Sequence, residues 1–161
     1  MKKIGLYEIS VIIFFILLPV IASTFNILIN KSEISPFSLI FKWFVFSGVG
    51  LRLFTAGLKQ SINPSFTAKE IFKVNEEKSF RIVREVGFAN ISLGLIGILS
   101  LPFPEFRLAA AVAGGLYFGL AGCLHLFSKM RSKDEMFAMV SDYFIFFIFM
   151  ILIVINYFKF V

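Results

Sequence analysis

The chain has 161 residues, of which 58% are hydrophobic and 23 are phenylalanine, and it carries a formal net charge of +6. This apolar content exceeds the roughly 45–50% that is typical of soluble domains, which excludes an ordinary soluble globular protein. The basic residues do not interleave with exposed aromatic residues along a stripe, so no nucleic-acid partner is expected. The composition instead predicts one integral membrane domain over residues 1–161, with the lipid bilayer as its main partner.

Five apolar stretches are long enough to cross a bilayer. The first begins like a signal peptide, but its apolar run continues to about Ile29, which favours a retained helix. Ser35 and Pro36 are typical of a helix start, and Pro19 is expected to kink the first span where neighbouring helices tolerate it. The predicted fold is therefore all-α, a multi-pass transmembrane helical bundle. Its five spans are predicted at residues 7–29, 36–60, 76–101, 105–128 and 133–158.

A short interfacial helix is predicted between spans two and three. Thr67 and Glu70 have the spacing of a capping box, in which two side chains satisfy backbone N–H groups at a helix start. Apolar and lysine side chains share this segment, as in helices that lie on the bilayer surface. Ser132 and Glu135 repeat the capping-box spacing at the start of the fifth span.

Small residues predict where the helices pack. One face of the third span carries three glycines and a single amide within about 80° of one another. A stripe of small residues runs along the fourth span. These residues are Gly87, Asn90, Gly94 and Gly97 in the third span, and Ala111, Gly115, Gly119 and Gly122 in the fourth. Because small residues let backbones approach closely in lipid, the third span is predicted to be central and to contact the fourth through these faces. Such Gly-rich faces are also where a second copy of the chain or another membrane protein is expected to bind.

Lysine and arginine collect at one end of the predicted bundle. The N-terminus and the loops after the second and fourth spans hold eleven, against three at the other end. The eleven are Lys2, Lys3, Lys59, Lys69, Lys73, Lys78, Arg81, Arg84, Lys129, Arg131 and Lys133, and the three are Lys31, Arg107 and Lys159. Because cytoplasmic loops collect Lys and Arg, the prediction is a cytoplasmic (cell) membrane protein with its N-terminus inside and its C-terminus outside.

Polar side chains inside the spans predict a site. The predicted topology places six of them in the cytoplasmic leaflet: Arg52, Gln60, Glu85, Asn90, His125 and Asp142. An ionisable residue within a span is costly, so it usually faces the bundle interior and has a partner. Arg52 needs an anion, and Glu85 and Asp142 are the available carboxylates. We therefore expect a carboxylate oxygen within salt-bridge distance of Arg52, in a polar pocket that opens toward the cytoplasm.

Each of these residues also has a structural interpretation. An ion pair of Arg52 would fix helix register, and Glu85 would pair with Arg81 one turn earlier. His125 would satisfy the last carbonyls of its helix, and Asn90 would join two helices. Two functional hypotheses follow. The first is small-solute or proton-linked transport or binding, and the second is a structural or accessory subunit of a membrane complex.

An enzyme is the least favoured hypothesis, because the sequence shows no pair of nucleophile and base. The chain has one His and one Cys, which are too few for a soft-metal site or a disulfide. No catalytic residue, metal site or cofactor is therefore expected.

Four stretches, residues 48–72, 81–101, 114–126 and 135–144, resemble a family of small prokaryotic integral membrane proteins of unknown function. The resemblance covers roughly residues 45–150 and leaves the first helix outside. It implies recurring polar positions at the same six residues that are named above. A fainter similarity is to DoxX-like proteins, four-helix membrane bundles in which an arginine precedes an Ala-Gly-Leu-Lys ending, here Arg52 and residues 56–59. Some DoxX relatives are described as subunits of membrane redox complexes, and this chain shows no quinone or metal signature.

Overall fold

Five long helices make up the protein. The structure is a computed structural model, and it describes residues 5–29, 34–71, 74–127 and 133–160. The helices are Leu6–Ile29, Pro36–Ile62, Ser79–Leu99, Phe106–Leu126 and Lys133–Phe160. All five are long and apolar enough to cross a membrane, and the described residues form no strand. The predicted all-α, five-span fold is confirmed, and the chain is a helical multi-pass membrane protein.

Helix starts were predicted with mixed success. At the second helix, the Ser35 hydroxyl accepts a hydrogen bond from the backbone N–H of Ser38 (3.2 Å), and Pro36 lies in the first turn, as predicted. The short helix consists of Pro64–Phe66 and a π turn at Thr67–Ile71. Thr67 does not begin this helix, because Pro64 fixes helical φ three residues earlier and Thr67 is buried inside the helix, while the side chain of Glu70, its predicted capping-box partner, lies outside the described residues. Ser132, the other predicted cap, lies outside the described residues.

The second helix, not the third, is the centre of the bundle. Half of its most apolar stretch is buried, against 28% for the third helix. It contacts the first helix through Ser47, the third through Gly50 and Gly57, the fourth through Val49 and the fifth through Gly48. The prediction of a central third helix was wrong because its glycines form only one face. Its other sides carry exposed apolar residues, among them Ile82, Phe88 and Leu95.

The two glycine faces do pack closely, but against different helices from those predicted. A Cβ added at Gly94 would collide with the backbone of Phe54 in the second helix. A Cβ added at Gly119 would lie 2.7 Å from the ring of Phe146 in the fifth helix. The predicted contact of the third and fourth helices through these faces was therefore wrong. Association with a second copy or another membrane protein stays a prediction.

Two π-helical turns, Ile13–Leu17 and Val45–Leu51, lie next to each other in the first and second helices. In a π turn a carbonyl accepts from residue i+5, which for Phe14 is Pro19, a residue without an N–H group. The Ser47 hydroxyl supplies the missing donor and lies 2.6 Å from the Phe14 carbonyl oxygen. A side chain of a neighbouring helix thus satisfies the backbone group that the proline leaves unpaired, as lipid surroundings require.

Removing this donor should loosen the contact between the first two helices. We expect Ser47→Ala to lower the free energy of unfolding by about 1 kcal/mol, because the Phe14 carbonyl is left unpaired. Thermal unfolding in detergent, followed by circular dichroism, measures the change. Ser92→Ala is the matched control, since the Ser92 hydroxyl bonds the Phe88 carbonyl of its own helix and is exposed. If the two variants melt alike, Ser47 does not join the helices.

Candidate functional site

A cavity of about 820 Å³ lies at the end of the bundle where the first helix begins. We call this the basic end, because Lys59, Lys69, Lys78, Arg81 and Arg84 lie there. All five long helices and the short helix contribute to the wall. The volume is in the range of small-molecule sites, about 300–1,000 Å³. Most of the wall is apolar and a few polar side chains converge on the space, which is the usual composition of a binding pocket.

The cavity brings together five of the six residues predicted from the sequence: Arg52, Gln60, Asn90, His125 and Asp142. Glu85 is exposed and does not line the cavity. It lies about 200° around the third helix from Gly87, so it is on the side opposite the packed face. In the described parts of the chain the one ion pair joins His125 to Glu135, so Glu85 does not pair with Arg81 either.

Arg52 follows directly after the second π turn, and its guanidinium lies over aromatic rings of the first helix. Its Cζ is 5.4 Å from the centroid of the Tyr7 ring and 5.9 Å from that of Phe15. Its Nε is buried and has no hydrogen-bond partner. Ring faces stabilise a cation, and the Tyr7 side chain also interacts with the guanidinium through its hydroxyl group, so Nε is the donor of Arg52 that is buried without a partner.

The expected salt bridge of Arg52 was wrong. Among the residues that the structure describes, no carboxylate oxygen lies within salt-bridge distance of the guanidinium. Glu85 is outside the cavity, and Asp142 interacts with Arg52 electrostatically only at longer range. The wall of the cavity therefore carries a cation that has no anion in contact with it.

Asn90 joins the third helix to the second. Its Nδ2 donates to the Gln60 Oε1 at 2.8 Å, which agrees with the interpretation of Asn90 as a helix–helix hydrogen bond. The residue is only 2% exposed, and its Oδ1 is buried without a partner. Tyr117 of the fourth helix lies close to this amide on the same wall. Asn90 thus joins the second and third helices, and its buried Oδ1 has no hydrogen-bond partner among the described residues.

His125 and Glu135 connect the fourth and fifth helices. The His125 Nδ1 is 3.5 Å from the Glu135 Oε1, and the two side chains are 10% and 7% exposed. Glu135, Ala138 and Asp142 recur at i, i+3 and i+7, which places them on one face of the fifth helix. All three are buried. Glu135 contacts His125 inside the bundle, and its predicted capping box with Ser132 involves a residue outside the described part of the chain.

Comparison with known proteins assigns a family without a function. Residues 9–159 match the family described as "Family of unknown function (DUF6790)". The chain belongs to the DUF6790 family. The match includes the first helix from residue 9 onward, which the resemblance seen in the sequence had left outside. No curated protein and no solved structure matches the chain.

Sequence reasoning missed two residues of this DUF6790 protein that shape the site. Tyr7 was missed because the search for partners of Arg52 considered only carboxylates, although an aromatic face also stabilises a guanidinium. Its position at the start of the first helix, at the basic end, was the available signal. Glu135 was missed although its spacing from Asp142 already placed both carboxyl groups on one helix face.

Proposed function

We propose that this protein binds a small anionic solute in the cavity at the basic end, as a binding or transport protein. Arg52 carries the proposal, as a cation on the cavity wall with an unbonded Nε and, among the described residues, no carboxylate in contact with it. Arginine stays protonated at any workable pH, and its isolated burial in a membrane is costly. A guanidinium presents a planar fork that binds a carboxylate or phosphate group bidentately. A bound anion would supply the missing partner.

The other charged groups of the wall also support an anion at Arg52. Lys59 is a second cation on the wall, and its Nζ lies 3.5 Å from the centroid of the Phe66 ring. Asp142 is a carboxyl group beside the same space and lies at longer range from Arg52. It is placed to accept a proton or a hydrogen bond from a hydroxyl or amine group of the ligand. This arrangement favours a ligand that carries both an anionic group and a donor.

Neutral substitutions of Arg52 and Asp142 test whether the ligand is an anion. Acetate or inorganic phosphate should stabilise the wild-type protein against thermal unfolding in neutral detergent. A charge-assisted hydrogen bond contributes about 1.5–3 kcal/mol, so Arg52→Gln should weaken anion binding roughly 10- to 150-fold. Asp142→Asn is the matched control, because it removes a negative charge and should leave anion binding unchanged or tighter. If Asp142→Asn abolishes anion binding and Arg52→Gln does not, Arg52 does not hold the anion and the proposal is wrong.

The proposal includes a position in the cytoplasmic membrane with the basic end inside. Its support is the excess of eleven Lys and Arg over three, counted from the sequence. We expect a reporter enzyme that works only outside the cytoplasm to be active when fused after residue 161. The same reporter inserted between residues 74 and 78 should be inactive. The opposite pattern would place the cavity in the outer leaflet.

A scaffold role is the second candidate, and two contacts favour it. The bonds of Asn90 with Gln60 and of His125 with Glu135 each join two helices directly. In an accessory subunit these residues would serve packing alone, and Arg52 would add only its contacts with Tyr7 and Phe15. Arg52→Gln would then lower the melting temperature, and no anion would raise that of the wild-type protein.

A further inference from the structure

We infer that the ligand is an anionic single-chain amphiphile, such as a fatty acid, which enters the cavity sideways from the bilayer. The inference rests on the proposed anion site at Arg52 and adds the class of molecule that carries the anion. It depends on where the cavity reaches the surface of the bundle and on the composition of its two ends.

The cavity reaches the lipid-facing surface through apolar residues. Among its lining residues, Leu6, Leu120 and Leu124 are 85%, 69% and 66% exposed. Leu120 and Leu124 lie within a helix that is long and apolar enough to span the membrane, so we place their exposed sides against lipid, whereas Leu6 begins the first helix at the basic end. The opposite part of the wall holds the buried polar residues Asn90 and Asp142. Thr55 and Lys59 are the other exposed lining residues, so the mouth is mainly apolar with one hydroxyl and one ammonium group, and further polar groups lie buried inside.

The packing of the third and fourth helices explains this side opening. Their glycine faces turn toward the second and fifth helices, as Gly94 and Gly119 show. Neither glycine face therefore brings the backbones of the third and fourth helices into close contact beside the cavity. Val86 of the third helix and Ala121 of the fourth both line the space that remains between them.

A ligand with a long apolar chain fits this cavity better than a small anion without such a chain. Acetate or phosphate at Arg52 would leave the apolar wall around Phe14 and Phe118 unfilled. The chain of a fatty acid would fill that wall and pass the leucines at the mouth, so it would stay in mainly apolar surroundings. Its carboxylate would move from the membrane surface to the guanidinium fork. The volume is that of a small-molecule site, which favours one chain over two.

Photo-crosslinking tests the inference in the full-length protein, held in nanodiscs of zwitterionic phospholipid. The probe is a dodecanoic acid with a diazirine at its last carbon, and mass spectrometry locates the crosslinks. We expect labelling near the mouth of the cavity. Unlabelled dodecanoate should compete at least tenfold better than dodecanol, which has the chain without the charge, and better than acetate, which has the charge without the chain. Arg52→Gln should reduce labelling at least tenfold.

A bulky side chain at the mouth tests the route of entry. Leu120→Trp should reduce labelling at least fivefold, and Leu124→Trp serves as a second variant at the same opening. Leu116→Trp is the matched control, since Leu116 is 53% exposed one turn away and does not line the cavity. Circular dichroism and gel filtration confirm that each variant is folded. Equal labelling of both mouth variants and the control would overturn entry at the mouth.

The competitors separate the two proposals. If acetate competes as well as dodecanoate, the amphiphile is wrong and the anion site stands. If dodecanol competes as well as dodecanoate, or Arg52→Gln is labelled like the wild type, charge plays no part and both proposals fail. If the probe labels residues outside the cavity alone, it partitions into the lipid and the inference is overturned.

Discussion

Gly94→Ala is expected to destabilise the bundle by about 1–3 kcal/mol, the usual cost of overpacking a tight contact. The added methyl group would overlap the backbone N and Cα of Phe54, which cannot turn aside as a side chain can. The second and third helices would have to separate, and the second helix also contacts the other three long helices. Thermal unfolding in detergent measures the loss.

Gly115→Ala is the control for this prediction. A Cβ at Gly115 would lie 3.2 Å from the Cβ of Phe149, somewhat tighter than ordinary contact, and its nearest neighbours would be side-chain atoms rather than backbone. Both substitutions add the same methyl group to a glycine inside a membrane helix, so the difference isolates the backbone overlap. If Gly94→Ala melts no earlier than Gly115→Ala, the close approach of the second and third helices is wrong.

Glu135→Leu is the second substitution with a large expected effect. It removes the carboxylate that faces His125 and leaves this buried imidazole without that partner. An unsatisfied buried polar group costs about 1–3 kcal/mol, and we expect a loss of unfolding free energy in this range. Glu135→Gln keeps an acceptor in the same place and should lose less.

A double-mutant cycle separates this pair from the other effects of the substitution. His125→Leu combined with Glu135→Leu removes both partners, so it should cost less than the sum of the single variants. Denaturant unfolding in mixed micelles gives the three free energies. Strict additivity would mean that the contact between His125 and Glu135 contributes nothing to the joining of the fourth and fifth helices.

The fold was predictable because length and hydropathy alone decide which segments can cross a membrane. Ser35 and Pro36 show that local chemistry also places a helix start, because a cap depends only on residues within one turn. The choice of neighbours was not predictable in this way. Gly94 indicates that another backbone comes close, but any neighbouring helix can supply that backbone.

The candidate site was predictable where the argument rested on the free-energy cost of burying a charge in a membrane. It was not predictable where the argument rested on the face of the helix from which a side chain projects. Arg52 and Asp142 are expensive in a membrane, so the expectation that they face the bundle interior agrees with the structure. Glu85 was misplaced because depth along a helix does not fix the face on which a residue lies. The partner of Arg52 was predicted wrongly because carboxylates are easily recognised in a sequence as partners of a cation. An aromatic residue such as Tyr7 does not stand out in the sequence from the other apolar residues of its helix.

The wall of the cavity combines the first and the last helix of the chain, and this has a consequence for biosynthesis. Helices leave the ribosome in chain order, so Arg52 enters the membrane after Tyr7 and long before Asp142. A nascent chain that stops before residue 133 has the guanidinium and its aromatic neighbours, but it lacks the side of the pocket that carries Ala138 and Asp142. The wall of the cavity is therefore complete only once the fifth helix has been synthesised and packed.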